Sequence, residues 1–402
     1  MPAAIMDKVP DNVPPELVVD FDMYAPPGFD PGDPHGAWKI FQDNNPDIVW
    51  TPHYGGHWIV NRAEDIDFVQ MNPDRFSNTE SFIPRNVLPP QYPVNLDPPD
   101  HAKYRRLIMP HLMPKALKQA FADARETAIR IINELGPTGQ CEFIGDFAAA
   151  MPHITFLSLV GQPVEHREFL RSLVVSPTDP RAAGNWVIRQ NYVREVIADR
   201  RANPRDDIVS HIVRAEVDGK AVDDDTLAGI IILVLGGGVD TVASTMGFMA
   251  KFLADNPKHR RQLQDDPKLH QKAIEEFVRR YGISNLGRIT ARDTDHKGVT
   301  FRKGDMVIMP FPLYGLDERV TPDPLAVDFN RRAMHSGFGR GIHTCAGAVL
   351  ARGELMIFLE EWLTRIPEFR VADEQRMHCR TGIINNVESL PLQWDPATFV
   401  RR

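Results

Sequence analysis

Beyond Pro110, apolar residues recur at three- and four-residue spacing in one segment after another. The spacing predicts helices over residues 114–135, 166–175, 185–201, 206–216, 224–254, 257–263, 270–281 and 346–364. Before Pro110 the pattern breaks up: Pro89-Pro90 and Pro98-Pro99 punctuate a stretch that reads as loops and short strands, such as 57–61. Further short extended pieces are expected at 299–301, 306–309 and 390–393. No linker and no internal repeat divides the chain, so residues 1–402 read as a single domain, mainly α with a minor β part.

Composition narrows the class. At 402 residues and 43% apolar content the chain can bury a substantial core. A net charge of −8 argues against nucleic acid as a partner. Cys141, Cys345 and Cys379 form no CxxC pair, so neither a zinc site nor a disulfide framework is indicated, and a reducing cytoplasm fits. Residues 1–19 are rich in proline and acid and carry no apolar run, which reads as neither signal peptide nor membrane anchor. The longest apolar stretch, 227–239, is shorter than the roughly 20 residues of a spanning helix and is closed by Asp240. A soluble protein without a membrane partner is expected.

Two places break the ordinary pattern. Phe338-Gly339-Arg340-Gly341-Ile342-His343-Thr344-Cys345-Ala346-Gly347 sets one cysteine in a glycine-rich loop ahead of a helix with Val349, Leu350, Ile357, Phe358 and Trp362 at near-helical spacing. A helix N-terminus favours sulfur as thiolate, the form that binds a metal. A nucleotide-loop reading fails, because the third glycine it needs is Ile342. In the predicted helix 224–254, Gly236-Gly237-Gly238 stands at the middle. Each interior glycine costs roughly 1 kcal/mol against alanine. Asp240-Thr241 follows, and the Thr241 hydroxyl can reach the Gly237 carbonyl four residues back, bending the helix and opening a groove.

At Phe338, Gly339, Gly341, His343, Cys345 and Gly347 the chain resembles the cytochrome P-450 family. The resemblance implies that family's fold, with a long central helix over a haem b (iron protoporphyrin IX) whose iron Cys345 ligates, and haem-dependent monooxygenase activity. A haem thiolate donates electron density that favours O–O cleavage. The family's central helix implies that Asp240 relays protons and Thr241 steers the activation of O2, beside Gly237 and Gly238. Its Glu-x-x-Arg with a later arginine implies Glu276, Arg279 and Arg331 as a buried scaffold for the cysteine loop. Its propionate contacts imply His101, Arg105, Arg288 and His343.

The chain is similar nearly end to end to the bacterial camphor monooxygenase branch, as in Gly55-Gly56-His57-Trp58-Ile59 and Gly315-Leu316-Asp317-Glu318-Arg319. That likeness implies a cytoplasmic enzyme fed by a 2Fe-2S ferredoxin, a flavin ferredoxin reductase and NADH. Docking is expected near Cys345, where Lys103, Arg105, Arg106, Arg340 and Arg352 would offer positive charge. By position Phe82, Tyr92, Leu233, Gly236, Gly237, Ser284, Leu286, Ile383 and Ile384 line the substrate site. Three departures bear on substrate. The loop after 82–85 is two residues shorter, so Tyr92 matches the ketone-binding tyrosine only loosely. Gly236 replaces a valine and is expected to enlarge the site. Ser284 and Leu286 replace a valine and an acid. A terpenoid or norisoprenoid bulkier than camphor, such as an ionone-like ketone, is the substrate expected. The alternatives are a camphor hydroxylase proper, or a haem-thiolate sensor without turnover, which would have no need of Asp240-Thr241.

Overall fold

The structure is a computed structural model that describes residues 9–372 and 377–401. Helices form its body. Those that shape the site are α1 (Ala63–Met71), α2 (Asp100–Ile108), α3 (Lys118–Leu135), α4 (Ala150–Leu159), α5 (Ala182–Ala202), α6 (Asp224–Gly236), α7 (Val239–Asp255), α8 (His270–Arg280) and α9 (Ala348–Arg365). The α7 helix packs against α4, α8 and α9. Phe143, Phe147, Phe358 and Trp362 interlock in the core beneath it, with the Phe143 and Trp362 rings 4.9 Å apart and edge to face.

The largest sheet has five strands, β1 (Ile48–Thr51), β2 (His57–Val60), β3 (Phe76–Ser77), β4 (Asn285–Thr290) and β5 (Met306–Pro310), in the order β1-β2-β5-β4-β3. Only β2 and β5 run parallel. In the β4–β5 pair Leu286 lies opposite Met309 and Arg288 opposite Val307. This sheet, with Trp58, Phe76, Phe301 and Val307 buried against it, builds a second core.

Most expected helices hold to within a few residues. The segments 166–175 and 206–216 shrink to Arg167–Ser172 and Ile208–Val213. Helices also appear where loops were expected, at Pro34–Asn44, Ala63–Met71 and Asp100–Ile108. Pro34 stands in the first turn, where a missing N–H costs nothing, so proline there starts a helix instead of barring one. Helix α4 escaped the periodicity because it is buried on nearly every side. The expected single helix 224–254 is two helices. Helix α6 is capped by the Asp223 carboxylate, which accepts from the N–H groups of Asp225 and Thr226 at 3.1 and 2.9 Å, and the chain breaks at Gly237-Gly238 before α7 starts. By length and composition Asp224–Asp255 would suffice to cross a membrane, but its buried residues belong to the protein core.

Candidate active site

The cysteine loop is held from three directions. The Cys345 N–H donates to the Phe338 carbonyl at 2.7 Å, closing the loop on itself. Gly341 has φ +67°, and a Cβ there would meet the Gln70 carbonyl of α1 at 3.0 Å, so only glycine fits. Arg340 grips Asp67 of α1 at 2.6–2.7 Å and the Tyr314 hydroxyl at 2.8 Å. From α9, Arg352 lies 4.3 Å over the Phe338 ring and donates two bonds to Glu275 of α8, which also bonds His335. The Cys345 side chain is accessible, yet lies deep enough for burial to push its thiol up. The Gly347 N–H, Arg105 and Arg352 pull the other way. The bias toward thiolate expected at this helix end is therefore present and is opposed by burial.

Glu276, Arg279 and Arg331 come together as expected, and their bonds run to residues 315–328, ahead of the loop in the chain. Glu276 and Arg279 are wholly buried and joined by two bonds of 2.7 and 2.8 Å. Arg331 approaches the same carboxylate at 3.2 Å, and the Asp328 N–H donates to it at 3.0 Å. The remaining Arg279 donors go to the carbonyls of Gly315, Pro324 and Ala326. Every charge in the trio has partners, which is the condition for tolerating it in the interior.

His101 and Arg105 of α2, Arg288 of β4 and His343 of the loop converge. The two imidazoles are 4.3 Å apart, and Arg105 donates to the Thr344 carbonyl at 2.6 Å. Burial, then Arg288, His101 and Arg105, push His343 down to about 3. Burial pushes Arg288 down to about 10, with Asp97 the one carboxylate opposing it. The buried His343 Nε2 has no hydrogen-bond partner among the described residues. This cluster is short of negative charge. A ligand with two carboxylates beside an accessible sulfur is what it fits, and haem has both its propionates and an iron that takes a thiolate.

At the break between α6 and α7 the Thr241 hydroxyl donates to the Gly237 carbonyl at 3.1 Å, as expected, and Gly237 is exposed. Gly238 admits the Phe156 ring of α4, which a Cβ would strike. Asp240 is pushed up by burial and drawn back by Arg380, Arg171 and Arg189, three cations that its sequence neighbourhood gave no sign of. Arg189 also bears on the expectation at Gly236. A Cβ there would stand 2.5 Å from the Arg189 guanidinium, so Arg189 occupies space that the missing side chain leaves beside Gly236.

Five of the residues expected to line a substrate site, Phe82, Ser284, Leu286, Ile383 and Ile384, lie on or beside β4. Ser284 and Leu286 are half-buried and share the strand face of Arg288, by two-residue alternation. The Gly287 N–H donates to the Ser81 carbonyl, which brings half-buried Phe82 alongside. The Asn285 N–H donates to the Ile383 carbonyl, and Ser284 bridges Ile384. Leu233 is half-buried on α6. Tyr92 is placed apart: its ring presses on Gly229, one turn before Leu233, and stacks 6.2 Å from Tyr104. Its hydroxyl makes no hydrogen bond among the described residues.

The expected basic docking patch is largely spent internally. Lys103 pairs with Asp100 and Asp218, Arg340 with Asp67 and Arg352 with Glu275, while Arg105 donates inward to Thr344. Arg106 remains exposed.

An accessible cysteine on a clamped glycine loop, a buried basic cluster and a broken helix bearing acid and alcohol together define a haem-thiolate protein. The family model for cytochrome P-450 matches residues 146–381. A probable cytochrome P-450, 127A1, of Sinorhizobium fredii (strain NBRC 101917 / NGR234) is 32% identical over 96% of this chain and 97% of its own. A steroid C26-monooxygenase of Mycobacterium tuberculosis (strain CDC 1551 / Oshkosh) is 30% identical over 82% of this chain and 92% of its own. Among solved structures, CYP101J2 superposes with a TM-score of 0.89 at 36% identity, covering 97% of this chain and 100% of that one. The chain belongs to the cytochrome P-450 family, and with it come the monooxygenase activity and the haem b cofactor.

Proposed function

We propose that the enzyme hydroxylates a small, rigid, largely apolar terpenoid or norisoprenoid ketone of the ionone kind. Its electrons would come singly from a 2Fe-2S ferredoxin, refilled by a flavin reductase from NADH, in a cytoplasmic setting, with residues 1–402 acting as one unit. The observation that carries the substrate reading is the composition of the wall along β4. Leu286 and Ser284 lie at alternate positions at its start, Ile384 bridges Ser284, and the backbone beside Phe82 and Ile383 is bonded to the same strand. Such a surface gains by burying hydrocarbon and offers no partner for a charged substrate.

Haem, when bound, supplies the iron at which O2 is reduced and one of its oxygen atoms inserted. Cys345 would bind the iron, and His101, Arg105, Arg288 and His343 would hold the propionates. Glu276, Arg279 and Arg331 brace the stretch of residues 322–331 that leads into the loop. Asp240, which burial biases toward its protonated form, can hold a proton from solvent beside Arg189 and Arg171 and release it toward the groove at Gly237. Thr241 Oγ1, bonded to the Gly237 carbonyl, can turn to donate into that groove when a partner is offered. The apolar wall excludes water and turns the substrate toward the same space.

A spin-state titration of the purified holoenzyme with β-ionone and with camphor tests this reading. The larger low-spin to high-spin shift and the tighter binding are expected for β-ionone. A complete shift with tight binding for camphor alone would overturn it.

A further inference from the structure

We propose that the Ser284 hydroxyl is the polar anchor of the substrate site, donating a hydrogen bond to a carbonyl oxygen on an otherwise apolar substrate. The proposal rests on the substrate reading above and assigns the atom that recognises the oxygen. The backbone around Ser284 is committed: its carbonyl accepts from the Phe311 N–H at 3.0 Å, and the residue bridges Ile384. The side chain is not. It is half-buried, and its hydroxyl makes no hydrogen bond among the described residues.

The surroundings explain why that matters. Leu286, Phe82, Ile383 and Ile384 bring no side-chain donor, so a hydroxyl left among them is under-used once a ligand excludes water. Ser284 shares its strand face with Arg288, but four residues of strand put about 13 Å between their Cα atoms. An oxygen held at Ser284 is therefore clear of the basic cluster. The alternative donor, Tyr92, is held on α6 against Gly229 and Tyr104. The segment opposite is also fixed, because Asn285 Nδ2 donates to the Gly382 carbonyl at 2.6 Å and Thr381 donates to Asn385 at 2.7 Å. Ser284 directly precedes β4 and is held by the bridge to Ile384 and the bond from the Phe311 N–H, which fix its backbone.

The test is a mutant cycle read by spin-shift titration of the holoenzyme. Wild type, Ser284→Ala and Ser284→Thr are each titrated with two pairs of compounds: β-ionone and its analogue with CH2 in place of C=O, and camphor and camphane. Ser284→Ala is expected to weaken ketone binding about two- to tenfold, the worth of one net hydrogen bond, and to leave the hydrocarbons unchanged. Ser284→Thr is expected to restore the ketone affinity. A Ser284→Ala variant that shifts ketone and hydrocarbon alike, or neither, overturns the anchor. A ketone-specific loss seen with camphor while β-ionone fails to bind would support the anchor and sink the ionone reading.

Discussion

Glu354 offers a quantitative check on the interior of the protein. It lies on α9 with no exposure, and both carboxylate oxygens lack a hydrogen-bond partner among the described residues. Thr155 of α4 is near, its hydroxyl donating to the Met151 carbonyl at 3.0 Å. Thr155 favours the carboxylate, but burial outweighs it. Burial accordingly pushes Glu354 up from 4.5 to about 8. Between those values the folded chain keeps a proton that the unfolded chain has lost. Stability is then fullest below pH 4.5 and falls by about 1.4 kcal/mol per pH unit until the folded value is passed. Glu354→Gln keeps the shape, supplies a permanent donor and removes the titration. Its advantage over wild type should be about 1.4 kcal/mol at pH 5.5 and about 4 kcal/mol at pH 7.5. With roughly 2.1 cal/mol/K per residue over 402 residues, the gap between the two melting temperatures should widen by about 3 °C across that range. Paired thermal melts of the holoprotein followed by circular dichroism measure it. An identical gap at both pH values would show that Glu354 is not held as a neutral acid.

Two further outcomes follow from the site. Thr241→Ala should keep NADH consumption but divert it to hydrogen peroxide, with Thr241→Ser retaining coupling. Product formed per NADH that matches wild type in both variants would remove Thr241 from proton handling. Glu276→Gln strips the counter-charge from Arg279 and Arg331 and should cost about 3–5 kcal/mol, read as a lower urea midpoint and poorer haem retention. A midpoint equal to wild type would mean that the arginines' carbonyl partners suffice.

How much of this was legible in the chain differs from residue to residue. Contacts within one turn could be anticipated: Thr241 to Gly237 and Glu276 to Arg279 follow from helical geometry once the helices are placed. The cysteine loop was legible because its glycines are spaced for a backbone that other side chains cannot adopt. Contacts that depend on how distant segments fold together were not. Nothing near Gly236 announces that Arg189, from another helix, fills the space beside it. Glu275 looks like any surface acid until tertiary structure sets Arg352 and His335 around it. The basic residues near Cys345 read as a free patch because pairing across α1 and α8 has no local signature.

Glu275 and Glu276 are successive residues on α8 and therefore point about 100° apart around its axis. One serves the sulfur-bearing loop through Arg352 and His335, and the other serves the meander of residues 322–331 through Arg279, Arg331 and the Asp328 amide. A single turn thus acts as a clocking pin between two long irregular stretches that share few other ties. An insertion of one residue just ahead of this turn would swing both carboxylates off their targets together. The chain can be expected to tolerate length changes on the far side of either stretch far better than at this pin.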